Sequence, residues 1–81
     1  MALRINGPAL RTIRERTGLT TTDLVTHLEN DHNIKVGIRH ISNLERGAIG
    51  ASPGLLKAIA AVLKIQQSAI LADPQAERIS A

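Results

Sequence analysis

Residues Thr20–Gly47 read TTTDLVTHLENDHNIKVGIRHISNLERG, and this stretch decides the fold. Thr20 is placed to cap a helix with its hydroxyl, and Asp23 three positions on answers it in a capping-box spacing and opposes the helix dipole. Leu24, Val25 and Leu28 then supply a buried stripe. Continuing the period would bring Asp31 or His32 inward, so the helix is expected to end near Glu29 to Asp31. From Asn30 to Gly37 the periodicity fails, although Ile34 and Val36 alternate and could anchor a loop. A further helix is expected over 38–46. In it Ile41 and Leu44 point inward, Arg39, His40, Ser42, Asn43 and Arg46 fall on the other faces, and Gly47 ends it as a left-handed cap.

Working outward, Asn6-Gly7-Pro8 reads as a turn opening a helix, with Leu10 and Ile13 on one face and Gly18 as its stop. Ser52-Pro53 opens another, whose stripe of Leu55, Leu56, Ile59, Val62 and Leu63 is the strongest in the chain. A short fifth helix is expected from about Gln67 to Leu71, with Asp73-Pro74 as terminator and 75–81 as a tail. The expected fold class is all-α: a compact bundle of about five short helices in one domain over 1–81, its core at about 8–72 and its tail at 73–81.

The chain has 81 residues, 43% of them hydrophobic, with no cysteine and no aromatic residue. Disulfides and thiolate zinc sites are excluded, and the core must be Leu, Ile, Val and Ala. Without aromatic side chains, the base-stacking platforms of single-strand and RNA binders are excluded as well. The net charge of +3 leans toward a polyanionic partner. Its positive charge clusters at the start, where Arg4, Arg11, Arg14 and Arg16 outweigh Glu15. The first residues lack the apolar run of a signal peptide, and the stretch Leu55–Ile65, broken by Lys57, falls far short of the roughly 20 residues of a bilayer span. A cytoplasmic location is expected, with no membrane partner.

Two short helices joined by a turn, the second with Arg, His, Ser, Asn and Arg outward, suit a major groove about 12 Å wide. Arg donates to guanine, Asn pairs with adenine, and an apolar side chain such as Ile38 can lie against a thymine methyl. The plain alternative for such a face is solvated surface. Other chemistry is thin. His27, His32 and His40 are poorly spaced for a metal, and Glu15, Asp23 and Glu45 sit in capping or ion-pair contexts. There is no phosphate-cradling glycine loop and no nucleophile beside a base, so no enzyme activity, cofactor, metal or small-molecule ligand is expected.

Leu19–Leu24 (LTTTDL) resembles the opening of the second helix of the Cro/repressor family of helix-turn-helix proteins, the lambda-repressor-like or xenobiotic-response-element family. Ile41–Gly47 (ISNLERG) resembles the end of its recognition helix, Ser52–Ile65 (SPGLLKAIAAVLKI) its fourth helix, and Ala9–Thr20 (ALRTIRERTGLT) its first. The resemblance covers about residues 8–72 and implies a sequence-specific double-stranded DNA binder, a transcription regulator of repressor type. A bare domain of this size is similar to small phage regulators. The resemblance assigns base reading to Ile38, Arg39 and Asn43, with His40 beside them. It assigns phosphate contacts to Thr21, where the family usually has Gln, and to Ser42 and Arg46; Thr22, Lys35 and Gly37 are expected phosphate contacts as well. Glu45 is structural, pairing with Arg14.

Two departures stand out. The stretch Leu28–Gly37 exceeds the family's turn by about six residues. Either the second helix is longer, or a loop of Asp31, His32, Asn33, Ile34 and Lys35 reaches a phosphate, or it is plain solvent loop. Gly37 also stands where Ser or Thr normally caps the recognition helix, at a cost of only a few tenths of a kcal/mol. Ile65, Ile70, Leu71 and Ile79 could close a homodimer through the C-terminal region or finish the monomer's core. The competing functional reading is an antitoxin-like or adaptor protein that binds another protein through residues 65–81.

Overall fold

The structure is a computed structural model, and it describes residues 2–72. Its helices are α1 (Gly7–Thr17), α2 (Thr21–His32), α3 (Ile38–Glu45) and α4 (Pro53–Leu63), followed by a single 3-10 turn over Gln67–Ile70. The fold is all-α as expected, with the fifth helix reduced to that turn and Leu71 already extended. Asp73-Pro74, the tail and Ile79 lie outside the described residues.

Each start has a local cause. Asn6 accepts the Ala9 N–H at 3.2 Å, and Pro8 occupies the first turn, where a missing N–H leaves no gap. Thr20 and Asp23 form a full capping box: the Thr20 hydroxyl accepts the Asp23 N–H and the Asp23 carboxylate accepts the Thr20 N–H, both at 3.0 Å. Ser52 accepts the Leu55 N–H at 3.2 Å ahead of Pro53. The ends share a pattern. After α1, α3 and α4 a residue in the left-handed region (Gly18, Gly47 and Lys64) folds the chain back so that two successive N–H groups satisfy the last free carbonyls.

The course of α2 corrects the expected boundary. The helix runs on to His32, and Asn33 takes the left-handed conformation, its N–H bonded to the Glu29 carbonyl while the Ile34 N–H reaches that of Leu28. Most of the surplus in the connection is thus helix. Asp31 and His32 stay exposed, lining a surface depression with Ala61, Val62 and Lys64, so extension brings no polar group inside. The link to α3 is left as Asn33 to Gly37, held down by the half-buried Ile34 and Val36.

Leu10, Leu24, Leu28, Ile41, Leu44, Leu56 and Ile59 are fully buried, as the stripes predict, and so is Ile70, which the sequence left open. α2 packs on both α3 and α4, and α1 lies across α3. The 3-10 turn closes the bundle against α1 and α4. Ile70 therefore finishes the core, while Ile65 and Leu71 are half-buried against it. One feature has no counterpart in the periodicity: the segment before α1 is clamped from two sides. Leu3 exchanges backbone hydrogen bonds with Ala51, while the Asn6 N–H donates to the Ile70 carbonyl and the Ala72 N–H to that of Arg4. Among the described residues no helix is long and apolar enough to cross a membrane.

Candidate nucleic-acid interface

α3 is anchored on its inner side and open on its outer side. Ile41 and Leu44, one turn apart, are fully buried, which fixes the helix's rotation and turns Ile38, Arg39, Ser42, Asn43 and Arg46 outward around one shallow basin. Ile38, at 48% exposure, is the one strongly exposed large hydrophobic side chain among the described residues. A bare isoleucine at the first position of a short helix contributes nothing to the core. Arg39, beside it, is exposed. Asn43 and Arg46 are bonded to each other, the Arg46 Nη2 donating to the Asn43 Oδ1.

A second depression adjoins the first and shares Ser42 and Arg46 with it. Its other walls are Arg11 and Arg14 of α1, Thr21 at the first turn of α2, and Glu45. The central cation here is neutralised. Arg14 is only 8% exposed, and its Nε lies 2.5 Å and its Nη2 3.2 Å from the two Glu45 carboxylate oxygens, while Nη1 donates to the Leu19 carbonyl at 2.8 Å. The hydrogen bond to Glu45 holds the Arg14 guanidinium above its already high ordinary value, so it is a permanent cation. This unit ties α1 to α3 and to the turn before α2, setting the angle at which α3 is presented.

The positive charge left in the cleft comes from Arg46 and Arg11. Arg11 pairs with Glu15 at 3.2 Å, but both side chains are more than half exposed, and such a pair holds its partners weakly. Arg11 was not among the expected contacts. Its spacing of three from Arg14 put it on the same helix face, a signal that was available in the sequence. At the head of α2 the hydroxyl of Thr20 serves only the Asp23 N–H, leaving those of Thr21 and Thr22 among the helix's unpaired first donors. The carboxyl of Asp23 is held below its ordinary value, chiefly by the Thr20 backbone N–H.

The remaining expected residues lie apart from these two depressions. His40 is half-buried and lines a different groove, with Ile34, Val36, Gly50, Ser52, Gly54 and Leu55. Thr22 is exposed on the first turn of α2, its carbonyl accepting the Thr26 hydroxyl. Lys35 is exposed on the connection, and Gly37 caps α3 with ordinary extended backbone and no side-chain hydrogen bond. His27 faces Asp31 at 3.4 Å, and among the described residues no group of three or more metal-ligating side chains stands together.

Comparison with known families finds one match over most of the chain: the sequence model of a family described as a helix-turn-helix domain covers residues 7–71. No curated protein and no solved structure matches.

Proposed function

The chain belongs to the helix-turn-helix domain family, and from that premise we propose that it binds duplex DNA sequence-specifically as a transcription regulator, with α3 seated in the major groove. The observation that carries this reading is the outer face of α3: an exposed isoleucine and a set of polar and cationic side chains on a helix whose inner face is locked in the core. Ile38, Arg39 and Asn43 read base edges. His40, turned into its own groove, is left out of the reading set. The adjoining cleft takes a backbone phosphate between Thr21, Ser42, Arg46 and Arg11, helped by the positive end of α2. Thr22, Lys35 and the Gly37 amide lie at the margins and contact neighbouring phosphates.

The finer assignment follows the resemblance to the Cro/repressor family: a repressor that occludes polymerase, acting in the cytoplasm of a bacterium or a phage-infected host. The whole chain, 1–81, works as one domain without enzymatic activity, cofactor or small-molecule ligand. At about 1–3 kcal/mol per base pair read, one α3 cannot specify a genomic address. Two copies on half-sites roughly 34 Å apart can. With Ile70 inside the core, a C-terminal homodimer contact falls to Ile65, Leu71 and Ile79. Selection of bound duplexes from a random pool tests the function. A recurrent motif repeated as an inverted pair is expected; recovery of no motif would overturn the proposal.

A further inference from the structure

We infer that the bond between Arg46 and Asn43 turns the reading face of α3 into a surface of donors. It then selects guanine over adenine opposite Asn43, in a half-site rich in guanine and thymine on the contacted strand. The inference rests on the groove-helix reading above and deepens it by naming the chemistry that is read. An asparagine recognises adenine with both ends of its amide, the oxygen accepting from N6 while the nitrogen donates to N7. Here that oxygen already accepts from the Arg46 guanidinium one helical turn away. Its second lone pair remains, but an adenine amino group arriving there meets the guanidinium beside it, donor against donor. The amide nitrogen is the end left for the groove.

The rest of the basin has the same sign. Arg39 and Arg46 are donors with no acceptor capacity, Ile38 is apolar, and Ser42 is the one group able to accept as well as donate. No carboxylate lines this basin, since Glu45 on the same helix is turned to Arg14. Guanine presents two acceptors in the major groove, and thymine presents one acceptor beside its methyl group. Adenine presents one acceptor and one donor, and cytosine a donor only. The match ranks guanine and thymine first and cytosine last, and the exposed Ile38 seats the thymine methyl. Arg46 is thus a positioning residue for specificity, acting through Asn43, besides its contact with phosphate.

The test uses the full 81-residue chain on duplexes that differ only at the base pair facing Asn43, identified as the position whose preference Asn43→Ala flattens. Wild type is expected to favour guanine over adenine there by about tenfold, the discrimination of one good base contact. Arg46→Ala weakens binding to every duplex through the lost phosphate contact, yet it frees the Asn43 oxygen and inverts the order to favour adenine. Arg46→Met, which keeps the stem and removes the donors, should do the same, and thermal melting reports the folding of each variant. A wild-type preference for adenine at this position, or a guanine-to-adenine ratio unchanged in both Arg46 variants, overturns the inference alone. Absence of base preference at every position in wild type overturns it together with the reading it rests on.

Discussion

Arg14 and Glu45 meet inside the interface of α1 and α3 with side chains only 10% and 8% exposed, and there the loss of one partner costs more than the pair itself contributes. Glu45→Gln leaves a guanidinium without its counter-charge in a dry place, and Arg14→Ala leaves a carboxylate so. Each is expected to lower unfolding free energy by about 3–5 kcal/mol in denaturant titration. A loss under about 1 kcal/mol, the range of exposed pairs, would show the pair to be solvated. Gly7 sets a second residue-scale constraint. It is buried where α1 crosses the end of α3, and a Cβ there would lie 2.2 Å from the Glu45 carbonyl oxygen, a backbone atom that cannot swing away. Gly7→Ala should therefore destabilise by about 1–3 kcal/mol or more. Gly54→Ala, with open space around it in the first turn of α4, should leave stability level or raise it by up to about 1 kcal/mol. Equal melting temperatures for the two variants would contradict the close approach.

At the scale of elements, the capping box of α2 makes part of the stability depend on pH. The Asp23 carboxyl titrates lower in the folded chain than its ordinary 3.8, because the Thr20 backbone N–H binds the charged form. Below that ordinary value the unfolded chain takes up the proton first. The contribution is therefore complete above pH 3.8 and is lost as pH falls through the lowered value. Asp23→Asn should flatten the acid limb of a stability-against-pH curve and leave its neutral limb parallel to wild type; identical acid limbs would remove the box from the account. α3 begins less securely. Gly37 has extended backbone at φ −89° and free space at its Cβ position, so Gly37→Ser can add the missing cap without strain. A gain of about 0.5–1 kcal/mol in chemical denaturation is expected, and a loss would mean that the serine cannot reach the helix's free N–H groups.

The elements themselves were legible in the sequence because stripe and cap coincide: Thr20 with Asp23 before Leu24 and Leu28, and Ser52-Pro53 before Leu55 to Leu63. The end of α2 was not, because periodicity reports burial, and Asp31 and His32 in its last turn stay exposed at the surface. The clamp of Leu3 to Ala51 and of Asn6 to Ile70 left no trace either, since it joins backbone groups far apart in the chain. In the candidate interface the outward set on α3 followed from Ile41 and Leu44. The surroundings of His40 were not legible, because angle along one helix does not show that Ile34, Val36 and Leu55 of other elements build a groove around it.

For the molecule as a whole, folding and binding divide the same few elements between them. The inner faces of α1, α2, α3 and α4 make an aliphatic core, and the Arg14–Glu45 unit ties α3 to α1 at its edge. The surface proposed for DNA is one basin and the cleft beside it, both walled in part by Ser42 and Arg46. Two kinds of loss should follow from this division. Replacing Arg11 removes a phosphate contact, weakening all duplexes alike and lowering the salt slope by about 0.9. Replacing Arg39 removes base reading, so its cost should fall on the selected duplex alone. The most direct measurement is the affinity of wild type and of Arg39→Ala for the selected duplex and for a scrambled one at the same salt concentration. Arg39→Ala is expected to bind the selected duplex about 5- to 150-fold more weakly and the scrambled duplex nearly as wild type does, the loss expected from one base contact of about 1–3 kcal/mol. Equal affinity of both proteins for the selected duplex would contradict it.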